Sequence, residues 1–213
     1  MTQFGLKPNP LDHMLWAAPD LEAGAQLFEQ CTGVKPGGGG SHDGFGTRNT
    51  LASLGENLYF EVISVDPAQD NFNTRAGRIS SLDGPEMHTF GVRGDQLVQY
   101  RDAARSFGLA ASDPIAMSRR RADGVLIQWQ AIYIDDDHWG YHVPFLIDWM
   151  GSEHPWKVTP NGCSMTEFCA LHPQADELAE IYKAVGVDVP VRPSPKPGFL
   201  LRLDTPNGEV ILT

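Results

Sequence analysis

Leu11-Asp12-His13-Met14-Leu15-Trp16-Ala17-Ala18-Pro19-Asp20 is the stretch from which the fold is read. It is a short apolar run carrying one histidine and closed by Pro-Asp, which is the pattern of a strand ending in a turn. A helical pattern follows, from Leu21 to a stop at Gly33, with Asp20 suited to the N-cap and Gly33 to the C-terminal stop. The same design recurs at His88-Thr89-Phe90-Gly91-Val92-Arg93-Gly94-Asp95, whose helical pattern stops at Gly108. Seven positions separate His13 from Asp20 and His88 from Asp95. Thirteen separate Asp20 from Gly33 and Asp95 from Gly108. Two histidines therefore share one register of a duplicated strand–helix unit, and such a repeat takes precedence over local patterns.

Outward from these strands the units continue alike. In the first, Leu21, Ala25, Phe28 and Cys31 mark the buried helical stripe, and Gly37 to Gly46 reads as a glycine-rich lid. Thr47 to Leu54 and Leu58 to Val65 read as strands across the turn Gly55-Glu56-Asn57. In the second, Leu97, Tyr100, Ala104 and Phe107 face inward. Strands are expected at 112–118, Gly124 to Ile134 and Tyr141 to Met150. A third copy runs from the strand Ser164 to Leu171 through a helix stopped at Gly186. It ends in Phe199 to Asp204 and Glu209 to Leu212, paired across Pro206-Asn207-Gly208.

Composition narrows the function. The 213 residues carry a net charge of -11, so a nucleic-acid or anionic-membrane partner is not expected, because both need clustered cations. Arg119-Arg120-Arg121 reads as a solvated hairpin loop. Three cysteines, Cys31, Cys163 and Cys169, make no disulfide framework and no zinc-knuckle spacing. With neither a signal pattern nor a long apolar run, the expectation is a cytoplasmic protein.

Four polar groups interrupt apolar strands: His13 and His88 on first strands, Glu61 and Asp148 on last strands. Each is either a hydrogen-bonded core residue, a surface residue or a functional one, since an unpartnered buried carboxylate is costly. If the units pack about a pseudo-twofold axis, two imidazoles and two carboxylates converge. Such a set suits Fe(II), Mn(II), Ni(II) or Zn(II) with open positions left for substrate.

Here the residues resemble a known family. Leu11-Asp12-His13 with Pro19-Asp20-Leu21, Gly46-Thr47-Arg48-Asn49, Tyr59-Phe60-Glu61-Val62-Ile63, Arg121-Ala122-Asp123-Gly124 followed by Trp129, and Pro144-Phe145-Leu146-Ile147-Asp148-Trp149 carry it. Together, in order and spacing, they are similar to glyoxalase-like domain proteins of the vicinal-oxygen-chelate (glyoxalase/bleomycin resistance/extradiol dioxygenase) superfamily. The resemblance implies an α+β fold of repeated βαβββ modules, with mixed sheets curled around a cavity. It covers 9–150 as one domain, with module one at 9–65 and module two at 86–150. A third, looser module at 163–213 packs on the same domain.

The resemblance also implies a divalent metal (Zn, Ni, Mn or Fe) on His13, Glu61, His88 and Asp148, chelating vicinal oxygens of a small-molecule substrate for lyase or isomerase chemistry. Glu61 would be the catalytic base. Arg48, Asn49 and Trp129 would bind substrate, with Arg48 pairing a carboxylate. Trp16, Tyr59, Phe90 and Trp149 are further candidates for an apolar pocket wall. Extradiol-type dioxygenation, and a non-catalytic sequestering protein on the same fold, are the alternatives. Exposed sheet edges allow for a homodimer.

Overall fold

The computed structural model describes residues 6–70, 74–121 and 123–213. The start of the lead-in (1–5), part of the connecting segment (71–73) and Ala122 of the Arg121–Gly124 motif lie outside them. The first module is β1 (Leu11–Ala17), α1 (Leu21–Thr32), β2 (Gly37–His42), β3 (Thr47–Ser53) and β4 (Tyr59–Val65). A short helix, α2 (Thr74–Ser80), leads to the second: β5 (Glu86–Arg93), α3 (Leu97–Ser106), β6 (Ile115–Arg120), β7 (Leu126–Ile132) and β8 (Phe145–Asp148). The third segment comprises β9 (Ser164–His172), α4 (Ala175–Ala184), β10 (Val191–Pro193), β11 (Gly198–Thr205) and β12 (Gly208–Leu212). No helix among the described residues is long and apolar enough to cross a membrane.

The first two modules form one eight-stranded sheet in the order β2-β3-β4-β1-β5-β8-β7-β6. Its centre is the antiparallel pair β1–β5, and each of these strands pairs in parallel with the last strand of its own module, β4 or β8. The two halves are thus related by an approximate twofold axis between the first strands. The sheet curls until its edge strands β2 and β6 touch. Residues 37–42 are therefore not a lid but an edge strand. Positive φ values at Gly38, Gly39 and Gly40 admit a backbone path that few side-chain-bearing residues would follow. A Cβ at Gly40 would meet Cδ of Arg119 on β6 at 3.3 Å. The third segment forms its own sheet, β10-β9-β11-β12.

Both ends of α1 have a chemical reason. The Asp20 carboxylate accepts from the Ala23 N–H at 2.7 Å, and Gly33 closes α1 in the left-handed conformation. The buried stripe is Leu21, Gly24, Phe28 and Thr32, the same face as expected but with Gly24 and Thr32 in place of Ala25 and Cys31. The missing side chain of Gly24 lets α1 settle onto Ala18 and Val62. In α3, Ala103 joins Leu97, Tyr100 and Ala104 in the core, while Phe107 ends up exposed at the C-cap.

Two apolar clusters flank the eight-stranded sheet. The larger, convex-side cluster joins it to α1, α3 and the third segment. Phe90 makes edge contacts there with Phe168, Phe199 and Tyr182. The smaller cluster, with Leu15, Ile63, Ile127, Trp129, Phe145 and Ile147, lines the concave side. Trp16 and Phe90 belong to the convex-side core and not to any pocket wall.

A pair of glycine substitutions separates packing from helix propensity. A Cβ at Gly24 would sit 2.6 Å from Ala18 Cβ, whereas one at Gly77 in α2 meets nothing within 4 Å among the described residues. Gly77→Ala should raise stability by about 0.5–1 kcal/mol. Gly24→Ala should lower it, because overpacking of about 1–3 kcal/mol exceeds the propensity gain. Chemical denaturation of the two variants measures both signs.

Candidate active site

The site is built around Asp12, which is wholly buried. β1 pairs Leu11 with Val92 and His13 with Gly91, so Asp12 is the extra residue of a β-bulge. A bulge re-aims side chains that simple alternation would send to opposite faces. Asp12 Oδ1 accepts from His13 Nδ1 at 2.6 Å. Its Oδ2 accepts from Trp149 Nε1 at 3.0 Å and from His154 Nε2 at 3.0 Å. His154 Nδ1 accepts the Trp156 N–H, so the His154 proton lies on Nε2 and points at Asp12. Burial pushes the Asp12 carboxyl up, but the hydrogen bonds and charge of His13 and His154 outweigh it and hold the group far below the usual carboxylate range.

Asp12 fixes the His13 tautomer. With Nδ1–H committed to Asp12, Nε2 faces Glu61 Oε2 at 3.4 Å. The ring is held on three sides. Tyr59 stacks on it at 4.4 Å, Phe145 meets it edge-on at 5.2 Å, and Gly91 leaves the space it fills. A Cβ on Gly91 would come within 2.8 Å of His13 Cε1. The strand register explains the pairing: His13 lies beside Tyr59 and Leu15 beside Glu61. His13 and Glu61 are therefore diagonal neighbours on the concave face.

Asn49, on β3, extends the network. Its Nδ2 donates to Glu61 Oε1 at 2.9 Å, and its Oδ1 accepts from Arg119 Nη1 at 2.8 Å and from the Gly40 N–H at 3.1 Å. Asn49 Nδ2 also faces His42 Nε2 at 3.1 Å, which leaves the His42 proton on Nδ1 for Thr47 Oγ1. Burial shifts the Arg119 guanidinium downward, while Tyr59 and Glu61 pull the other way. The Tyr59 hydroxyl is pushed well up, by burial first and then by Asp12 and Glu61.

His13, Glu61, Asn49 and Arg119 face a cavity of about 220 Å³ on the concave side of the sheet. Apolar side chains dominate its walls, among them Trp129, Phe145, Ile147 and Trp149. It thus offers an apolar body site with one polar end.

Of the seven residues expected at the site, four lie on this cavity: His13, Asn49, Glu61 and Trp129. Three lie elsewhere. His88 is the extra residue of a second bulge, between the pairs Leu15–Thr89 and Trp16–Met87. Its ring packs on Tyr141 at 4.2 Å and does not line the cavity. Asp148 alternates with the inward-facing Ile147 and Trp149, and its Oδ1 accepts the Met150 N–H in the turn that ends β8. Arg48 alternates with Asn49, points toward α1 and pairs with Glu22 at 2.9 Å. Sequence reasoning missed Asp12, His154 and Arg119. Only the apolar setting of Asp12 gave any signal.

The four expected metal ligands therefore do not converge. Among the described residues, no three His, Cys, Asp or Glu side chains form a group that could hold a metal ion. His13 and Glu61 are two donors, and the Arg119 cation stands one amide away. This set does not fit a resident ion held by the expected four protein ligands.

Known proteins bear on the fold. Residues 11–186 match the family model of a glyoxalase-like domain. No curated protein matches the chain. A hypothetical protein from Staphylococcus aureus superimposes with a TM-score of 0.64 at 17% identity, over 95% of this chain and 84% of its own. A variant of 4-hydroxymandelate synthase from Streptomyces coelicolor gives 0.50 at 14% identity, over 97% and 63%. Methylmalonyl-CoA epimerase from Mycobacterium tuberculosis gives 0.47 at 19% identity, over 65% and 86%. At these identities the likeness is one of fold.

Asp12→Asn should cost on the order of 3 kcal/mol near neutral pH, because it removes the charge that three buried donors face. The Asp12 pKa is depressed on folding. Its stabilisation is therefore present above the ordinary value of 3.8 and lost as pH falls below it. The stability gap between wild type and Asp12→Asn should narrow below that pH, as urea titrations at neutral and acid pH would show. Elemental analysis should find no stoichiometric Fe, Mn, Ni or Zn in the purified protein. A stoichiometric ion that disappears in His13→Ala would contradict the donor-set argument.

Proposed function

The chain belongs to the glyoxalase-like domain family of the vicinal-oxygen-chelate superfamily, and from that premise we propose that it is an enzyme moving a proton on a small molecule held in the concave cavity. The reaction class is isomerase or lyase. The observation that carries this reading is the run Asp12–His13–Glu61, which ends in an apolar enclosure.

In this reading Glu61 takes a proton from a carbon next to a substrate carbonyl. His13 Nε2, 3.4 Å from Glu61 Oε2, takes that proton from Glu61 and passes it back, and Glu61 delivers it to a carbon of the resulting enolate. Asp12 keeps Nδ1–H in place and stabilises the imidazolium while it lasts. Asn49 holds Glu61 by its other oxygen, so the carboxylate meets the substrate in one orientation. Trp129, Trp149 and Phe145 exclude water from the reacting carbon, which strengthens each of these interactions. Dioxygenase chemistry would require the metal set that His88 and Asp148 do not complete.

A sequestering role is the second reading, favoured by the mostly apolar cavity wall. Proton exchange separates the two. A panel of small 2-oxo and 2-hydroxy carbonyl compounds, incubated in D2O and followed by NMR, should show enzyme-dependent exchange of a carbon-bound hydrogen in at least one member. Glu61→Gln should slow that exchange by about 10²–10⁴-fold. Saturable binding with no exchange in any member would establish the sequestering role, and exchange unaffected by Glu61→Gln would remove Glu61 as the base.

A further inference from the structure

We propose that Arg119 is the anion subsite of the cavity, and that the protein's ligand is a small carboxylate with an aromatic or branched apolar body. This names the substrate class of the site proposed above and rests on that reading. Arg119 comes from a run whose other members are surface residues. Arg120 donates to the Gly124 carbonyl, and Arg121 pairs with Asp123 and Glu153. Arg119 alone turns inward. It lies opposite Ile127 on the concave face and is only 7% exposed.

Its polar capacity is not spent. Nη1 donates to Asn49, and Nε has no hydrogen-bond partner among the described residues. The Glu61 carboxylate acts on it only across the Asn49 amide. A buried guanidinium with an unused donor is costly, and a planar guanidinium fork matches a carboxylate. The glycines of β2 leave room for its stem, since Gly40 lies 3.3 Å from Cδ when given a Cβ.

Size and lining supply the rest. The cavity, about 220 Å³, exceeds the ~150 Å³ that takes up benzene. Trp129, Phe145 and Ile147 offer flat and branched apolar contacts on the walls of the same cavity. A carboxylate seated on Arg119 would lie one amide, that of Asn49, from Glu61.

Matched acids and amides test this. Benzoate, phenylacetate and 3-phenylpropanoate, each against its neutral amide, are titrated into the full chain, with tryptophan fluorescence and thermal shift as readouts. Trp129 and Trp149 line the cavity and report occupancy. At least one acid should bind about tenfold or more tightly than its amide. Arg119→Met should bring that acid down to the level of its amide while leaving the amide unchanged. Arg119→Lys, which keeps charge but not the fork, should retain part of the preference and decides the matter if the Met variant does not fold. Equal binding of every acid and amide, no saturable binding of any acid at millimolar concentration, or a preference that survives both Arg119 variants overturns the proposal. Failure of the proton-transfer reading would look different: exchange insensitive to Glu61→Gln, with the acid preference intact.

Discussion

A carboxylate with no access to water organises this molecule. Asp12 is stable as an anion because His13, Trp149 and His154 all donate to it and Arg93 Nη1 lies 3.9 Å from its Oδ2. Those donors come from β1, from the end of β8 and from the turn before the third segment. The need to satisfy one buried charge therefore ties the first module to the second, and both to the chain that leaves them. The β1 bulge is what lets Asp12 and His13 serve one side of the strand in succession. Unbroken alternation would put Asp12 on the side of Met14, in the apolar convex-side cluster.

From that anchor, polarity spreads through single shared atoms. Asp12 orients His13, His13 faces Glu61, Glu61 is held by Asn49, and Asn49 is held by Arg119 and Gly40. Each group has its direction set by the one behind it, so the arrangement is rigid before any ligand arrives. The glycine-rich edge strand belongs to this chain of constraints. It lets β2 lie close enough to β6 for the sheet to curl, and the curl brings Arg119 across to a residue on β3.

Much of this was legible in the sequence, because strand–helix–strand repeats are written in local patterns. The Pro or Asp starts, glycine stops and apolar runs place β1, β5, β9 and their helices within a residue or two. Where the reading slipped, it did so for a common reason: it assumed unbroken alternation and strict equivalence of the copies. His13 and His88 share a register in sequence, yet a bulge lies next to each, and in β5 it is His88 itself that goes unopposed. Arg48 and Asn49 differ by one position, and that position decides between the helix side and the cavity. Arg119 looked like its two neighbours because a charge run carries no sign of which member turns inward. That depends on strand pairing with β7, a tertiary fact.

The failed symmetry is itself informative about the chemistry. In a duplicated cavity, polar groups at matching positions of both modules would give a symmetric centre suited to an ion. Here module one keeps the polar set, His13, Glu61 and Asn49. Module two presents Phe145, Ile147, Trp129 and Trp149, with Arg119 as its one charged group on the cavity apart from Asp135. Under the proposed function, the first half would move a proton and the second would grip an apolar body and its charge. The fold supplies the enclosure. What is done inside it follows from which strand faces kept their polar residues.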